Sequence, residues 1–269
     1  EISECLVGSE MCIRDRASYD AGSKKLVTLS HPFSVDVDSA KMEFYEPEKE
    51  TEDVVLFSKF GMIGEFFLGR MVGGVFEGSR SPGFEHPDTL FRIKDMPLRL
   101  CTAVRVDSTK TYHYVRYFGP RGGFGNVSEV GFYSSWADTE PLKGDILGPQ
   151  EGAHGSHSYF NVFDGHTDTS YDHPFDYGGW AGLDLGEKKA IGKIVYTPRN
   201  RDDFVRKDDL YELLVCHGGE WKSAGTQVAQ SDSLLFRNIP KHALLLLRDL
   251  SRGEAERLFE YKDGVQKYW

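Results

Sequence analysis

Residues 180–215, WAGLDLGEKKAIGKIVYTPRNRDDFVRKDDLYELLV, read as three β-strands in a row. Ala181, Leu183 and Leu185 alternate with Trp180, Gly182 and Asp184, the period-two pattern of a strand with one buried face. Gly186-Glu187-Lys188-Lys189 reads as a short polar turn, and residues 191–196 as a second run rich in β-branched and aromatic side chains. Pro198 has no N–H to give a ladder and ends that run. After a polar loop, Tyr211, Leu213 and Val215 alternate with Leu210, Glu212 and Leu214. If the first two strands pair as an antiparallel hairpin, the loop entering Trp180 and the loop leaving Tyr196 lie at one end of the sheet. Those loops hold His173, Phe175, Asp176 and Tyr177, and Arg199, Asn200, Arg201 and Arg206. A rigid sandwich that presents loops at one end is a binding architecture.

Working outward, almost everything else also reads as strand and loop. Strand-like runs fall at 25–29, 41–45, 54–57, 66–68, 89–93, 113–118 and 126–133, with an acidic linker at 46–53. Gly122-Gly123-Phe124-Gly125 lacks the Lys-Ser/Thr and the helix of a phosphate loop and reads as an ordinary loop. Residues 136–141, WADTEP, read as a polar junction. Beyond the opening stretch come runs at 218–225, 234–240 and 243–249, in which residues 244–247 are one buried strand. One helical turn is expected at 254–257, and Asp263-Gly264 is a hairpin turn between 258–261 and 265–269. An internal echo lays residues 115–133 over 194–215, matching Tyr117 with Tyr196, Arg121 with Arg199 and Glu129 with Glu212. Two diverged sandwiches in tandem would explain it. The expected fold class is therefore all-β, with two tandem β-sandwiches at 51–135 and 136–269. Residues 17–50 are the tail of an upstream domain or entry strands.

The residues FDGHTDTSY (163–171), GWAGLDLG (179–186), IGKIVYTPR (191–199) and YELLV (211–215) resemble, in order and spacing, the discoidin domain. This coagulation-factor type C module is a jelly roll of the galactose-binding-like superfamily. The resemblance covers residues 142–269. The first sandwich lacks the DG-x-x-x-T turn and the DLG strand and is at most a diverged copy.

Residues 1–16 resemble the conceptual translation of a sequencing adapter and are expected not to belong to the natural protein. They show neither the apolar core of a signal peptide nor helical periodicity. Leaving out their four acidic and two basic residues moves the net charge from −10 to −8. An acidic chain with scattered basic residues argues against nucleic acid as partner. No apolar run approaches the ~20 residues that span a bilayer as a helix. Cys101 and Cys216, in different expected domains and without a C-x-x-C motif, read as two buried thiols.

For catalysis the sequence offers little. His154, His157, His166 and His173 match neither helical nor Cys-paired zinc spacing. No G-x-S-x-G elbow is present, and Asp202-Asp203 and Asp208-Asp209 read as solvated loop carboxylates. The resemblance implies a non-catalytic carbohydrate-binding module, at the C-terminus of a larger secreted, periplasmic or cell-surface protein. Any enzyme would be an upstream domain, and the other partner would be a glycan. Phe175 or Tyr177 would lie under the sugar ring, and His157, His173, Arg199, Asn200 and Arg201 would reach its hydroxyls. The alternative for each is structural, with the rings capping the core and Arg199 paired to an aspartate. As a whole, the alternative is a structural or protein-interaction sandwich packing on an upstream catalytic domain. In the family, the turn at Asp164 and Thr169 often holds a structural calcium ion. Its rival here is an Asx-turn, in which the Asp164 carboxylate accepts from its own backbone.

Overall fold

The computed structural model describes residues 45–59, 66–107, 109–152, 155–217, 220–253 and 257–268, and the backbones of four strands between residues 17 and 44. Residues 1–16, His154 and most of the helical turn expected at 254–257 lie outside them. The protein is all-β, as expected, but its two units are not in tandem. Residues 62–202 form one compact unit, and the segments before and after them, to 61 and from 203, form the other.

Four short antiparallel strands open the chain in sequential order: β1 (Ala17–Asp20), β2 (Lys25–Thr28), β3 (Phe33–Asp36) and β4 (Lys41–Phe44). They include the runs expected near 25 and 41. β5 (Thr51–Leu56) follows and takes in the last residues of the expected linker.

The unit of residues 62–202 begins with one helical turn, α1 (Phe66–Gly69), where a strand-like run was expected. It then contains β6 (Val75–Ser79), β7 (Asp88–Arg92), β8 (Thr102–Arg105), β9 (Thr111–Phe118), β10 (Glu129–Tyr133), β11 (Asp145–Leu147), β12 (Trp180–Ala190) and β13 (Lys193–Thr197). A five-stranded sheet, β11-β12-β9-β6-β7, and a three-stranded sheet, β10-β13-β8, share one core. Phe76 of the first sheet is central. Its ring centroid lies 5.3 Å from those of Tyr117 and Tyr196, and Phe132 meets it edge-on at 6.2 Å. Tilted and edge-on contacts of this kind suit the aromatic quadrupole.

This pairing corrects three expectations. The junction expected at 136–141 is a turn inside the unit: β10, before it, pairs with β13, after it, from Glu129↔Thr197 to Tyr133↔Lys193. Ser135 and Asp138 close that turn, and the Leu142 N–H donates back to the Phe132 carbonyl. Second, β12 and β13 are not a hairpin. β12 runs through the expected turn at Gly186 with a register shift, then the chain crosses at Ile191-Gly192 to the other sheet. Ala181, Leu183 and Leu185 face the core as the alternation predicts. Third, the echo between 115–133 and 194–215 is no domain repeat. β9 and β10 belong to opposite sheets of one sandwich, and 194–215 is divided between the two units.

The second unit continues with β14 (Leu210–His217), β15 (Glu220–Val228), β16 (Leu234–Pro240), β17 (Leu245–Asp249), β18 (Leu258–Lys262) and β19 (Val265–Tyr268). The sheet order is β15-β14-β17-β18-β19, and β16 pairs with β5 in a separate ribbon. Both faces of β14 and β17 are covered. Leu213, Val215, Leu245 and Leu247 pack with Val54, Leu56 and Phe236, whereas Leu214, Cys216, Leu244 and Leu246 pack with Tyr45 and Leu258. That two-sided burial explains an unbroken run of four leucines, as in any strand without a solvent face. The Asp-Gly hairpin forms as expected, with Asp263 and Gly264 at φ 53° and 81°, the left-handed pair a type I′ turn needs. Lys59 and Asp249 form a buried ion pair at 2.9 Å. Cys216 is buried, but Cys101, expected buried, is exposed. No helix among the described residues is long and apolar enough to cross a membrane.

Because β6, β8, β9 and β10 supply both sheets around β12 and β13, a polypeptide of residues 62–202 is expected to unfold cooperatively by itself. One of residues 136–269, cut through the β10–β13 and β9–β12 ladders, should show no cooperative transition by calorimetry. The reverse result would overturn this division.

Candidate functional site

Four loops meet at one end of the 62–202 sandwich. They precede β6, follow β9, precede β12 and follow β13, and the β9, β6 and β12 ends coincide at Phe118↔Val75 and Phe118↔Trp180. The expected convergence of the loops around Trp180 and Tyr196 thus occurs, although the two strands lie in different sheets. Glycine makes the close approach possible. A Cβ on Gly119 would sit 2.7 Å from the Gly125 Cα, and one on Gly179 would sit 2.8 Å from the same atom. Gly125 also has φ 63°, a conformation glycine adopts at no steric cost.

Asn126 ties the loops together and is 0% exposed. Its Nδ2 donates to Asp172 Oδ1 at 2.7 Å and to the carbonyls of Tyr171 and Phe124 at 3.3 and 3.4 Å. Its Oδ1 accepts from Arg70 Nη1 at 2.9 Å and from Arg199 Nη1 at 3.4 Å. Arg199 also pairs with Asp172 Oδ2. Beside this knot, the guanidinium carbons of Arg199, Arg201 and Arg70 lie 4.6, 5.3 and 5.5 Å from the centroid of the Phe67 ring. The face of an aromatic ring attracts such cations.

The residues expected to bind a ligand divide into two groups. Phe175 and Tyr177 are 59% and 47% exposed, and Arg201 is exposed. The Arg121 guanidinium carbon lies 4.6 Å from the Tyr177 ring centroid. His157 is exposed, its Nδ1 3.2 Å from Ser170 Oγ. Arg199, with one-sixth of its side chain exposed, faces both ways. His173 and Asn200 are buried framework. His173 Nδ1 lies 3.0 Å from Tyr171 Oη, and loss of solvation holds its pKa below the ordinary histidine value. Asn200 Nδ2 donates to the carbonyls of Thr167 and Pro198, fastening two loops. Phe67, Arg70, Asn126 and Asp172 were not singled out from sequence. Asp172 stands beside the noted His173, but nothing in its local pattern marks it as the partner of an arginine 27 residues on.

At the turn after a short 3-10 helix (Tyr159–Phe163), Asp164 forms an Asx-turn. Its Oδ1 accepts from the His166 N–H at 2.8 Å and its Oδ2 from Thr169 Oγ1 at 2.9 Å. Glu129 lies alongside and accepts from the Gly165 N–H at 3.1 Å. Burial, helped by the neighbouring Asp164 charge, pushes the Glu129 carboxyl up to about 8. Among the described residues, no group of three or more His, Cys, Asp or Glu side chains is placed to hold a metal ion. No family model, no curated protein and no solved structure matches the chain.

The Glu129 shift has a definite sign. The folded protein keeps a proton that the unfolded chain loses near pH 4.5, so the contribution is complete below that pH and is lost as pH rises towards 8. In calcium-free buffer, Glu129→Gln should therefore flatten the fall of melting temperature between about pH 5 and 8. It should leave the protein more stable than wild type at pH 8. Parallel pH profiles for the two proteins would rule this out.

Proposed function

We propose that the unit of residues 62–202 is a non-catalytic carbohydrate-binding module with its ligand end at the four loops. The observation that carries the reading is the exposure of Phe175 and Tyr177 beside an end crowded with planar hydrogen-bonding groups. Rings that merely capped the core would be covered. A sugar presents an apolar C–H face, which stacks on an exposed ring, and hydroxyls in directions that guanidinium and carboxylate groups satisfy. Holding Arg199 from beneath by Phe67 and from the side by Asp172 lowers the ordering cost of binding. The motifs of the discoidin resemblance that fall within this unit, at 163–171, 179–186 and 191–199, support the same reading, and an extracellular or surface location is proposed with it.

Two of the seven expected ligand residues, His173 and Asn200, are better assigned to the framework, because both are buried and His173 Nδ1 and the amide of Asn200 are engaged inside the fold. This observation favours the structural alternative for those residues alone.

A calcium ion at the Asp164 turn belongs to the same proposal. The carboxylates of Asp164 and Glu129, Thr169 Oγ1 and the His166 carbonyl are all oxygen donors, the type this hard cation takes. Glu129 supplies a second carboxylate beside that of Asp164. The ion would fasten the turn after the 3-10 helix to β10. Calcium is then expected to raise the melting temperature of the wild type and not of Asp164→Asn. Equal melting with calcium and with chelator would count against the ion.

For the ligand end, a weak Kd on the order of 0.1–1 mM is expected for a monosaccharide. A Phe175→Ala, Tyr177→Ala double variant should lose detectable binding on a glycan array with almost no change in melting temperature, since both rings are exposed. Arg199→Ala should lose binding too, but with some loss of stability from the broken Arg199–Asp172 ion pair. If the wild type binds no glycan, or the double variant binds as well as wild type, the proposal fails.

A further inference from the structure

We propose that the ligand is a sugar chain rather than a single sugar, and that it runs from the loop end along the outer face of β9 into a slot that the protein's own Phe84 fills as a lid. The inference rests on the carbohydrate reading of the same end. Phe118, Arg116 and Tyr114 alternate along β9 with the core residues Tyr117 and Val115, so they project from the outer face of the five-stranded sheet. β12 pairs with this row and sets Trp180 beside Phe118 and Gly182 beside Arg116. The row is continuous with the exposed ring of Tyr177, which meets Phe118 edge-on at 5.5 Å. From Phe118 to Tyr114 it covers on the order of 13 Å, more than one sugar ring.

The slot has the chemistry of a second sugar site. The Arg116 guanidinium carbon lies 4.8 and 5.4 Å from the ring centroids of Phe118 and Trp180, and Arg116 Nε donates to Glu77 Oε2 at 2.7 Å. Among the described residues that is the one hydrogen bond of either side chain, which leaves Nη1 and Nη2 as donors and Glu77 Oε1 as an acceptor. A hydroxyl both donates and accepts, so aromatic rings beside that mixed set suit a sugar better than a bare apolar group. The occupant in this structure is the Phe84 ring. Its centroid lies 4.2 Å from the Arg116 guanidinium carbon and 5.9 and 6.4 Å from the centroids of Trp180 and Tyr114.

Two features make that occupant removable. Phe84 is held at φ 52°, a left-handed conformation that costs a bulky L-residue free energy. Phe84 is also the one buried residue between 80 and 87. Among the described residues, the hydrogen bonds of residues 80–86 all close on residues 79–85. Ser79 Oγ donates to the Ser81 carbonyl and accepts from its N–H, Ser81 Oγ donates to Glu85, and the Phe84 N–H donates to the Ser81 carbonyl. Lifting the loop therefore relieves backbone strain and breaks no hydrogen bond with the sheet beyond its hinge at Ser79. What it gives up is the burial of one ring.

The test is titration calorimetry on the full chain with β-glucan, β-mannan, β-galactan and xylan oligosaccharides of one to six residues. In the series that binds, the hexasaccharide is expected to bind about tenfold or more tightly than the monosaccharide. Phe84→Gly removes the ring and suits the left-handed backbone. It should tighten hexasaccharide binding by about tenfold again, because a site that is open only part of the time binds more weakly in proportion. In the wild type, hydrogen exchange at the Phe84 amide should become faster when the hexasaccharide binds, a readout that holds even if the variant fails to fold. Equal binding of one and six residues overturns the inference and leaves the carbohydrate reading standing, whereas binding of no sugar removes both. A folded Phe84→Gly that binds the hexasaccharide no more tightly than wild type overturns the lid, as does exchange at Phe84 that is unchanged or slower in the complex.

Discussion

The ligand end of the 62–202 sandwich depends on one side-chain amide. Asn126 is fully buried and has polar contacts with Arg70, Phe124, Tyr171, Asp172 and Arg199, one or more from each of four loops. A buried amide is costly to leave without partners, at about 1–3 kcal/mol for each group, so these loops are driven to converge around it. Asparagine is suited to the position because it both donates and accepts. Its oxygen takes two arginines, and its nitrogen takes a carboxylate and two carbonyls. An aspartate would repel Asp172, and a leucine would take a donor from the Phe124 and Tyr171 carbonyls and leave the Arg199–Asp172 pair without its buried amide. The glycine contacts at Gly119, Gly125 and Gly179 are the steric counterpart of the same constraint. They let the backbones approach closely enough for the amide to reach all four loops.

The core beneath hands this end a fixed frame. Phe76 joins the two sheets through Tyr196 and Phe132 and packs on Tyr117 of its own sheet, and β9 and β13 each run from that cluster to a loop carrying part of the knot. The other unit solves a different problem. β14 and β17 have no solvent face, so their specificity comes from packing on both sides and from a buried Lys59–Asp249 pair at the end of β17. Desolvating two charges is expensive, and such a pair adds less to stability than its short distance suggests.

Much of this was legible in the sequence, because period-two alternation and proline and Asp-Gly punctuation act locally. The inward set of β12, the stop at Pro198, the hairpin at Asp263-Gly264 and the burial of Leu244 to Leu247 all follow from such rules. What was not legible is which strand pairs with which. β12 and β13 are separated by a two-residue corner that looks like a hairpin but carries the chain between sheets, and local pattern does not distinguish the two. The same limit hid the nested organisation, since 51–135 and 136–269 each have enough strands for a sandwich. At the site, Phe175, Tyr177, Arg199 and Arg201 stood out by residue type in loops. Asn126 and Asp172 did not, since their role is defined by partners 45 or more and 27 residues away. Glu129 drew notice only through an alignment echo, and its proximity to Asp164 is a product of the fold.

The nesting of one unit inside the other has a consequence for the order in which the chain matures. The ribbon of β5 and β16 joins residues from Leu56 and Leu234, 178 positions apart, to Thr51 and Pro240, 189 positions apart. Closing a loop of that length in an unfolded chain is slow, because its entropy must be lost before any contact repays it. During synthesis the 62–202 segment emerges complete while β16 is still to be made, and domains tend to fold as units in that order. Once folded, it replaces a long disordered loop with a compact body of fixed span, and the two halves of the host then search a much smaller volume for each other. The inserted sandwich would thus act as a folding aid to its host. In the interval β5 waits with Val54 and Leu56 uncovered, an unpaired strand open to aggregation.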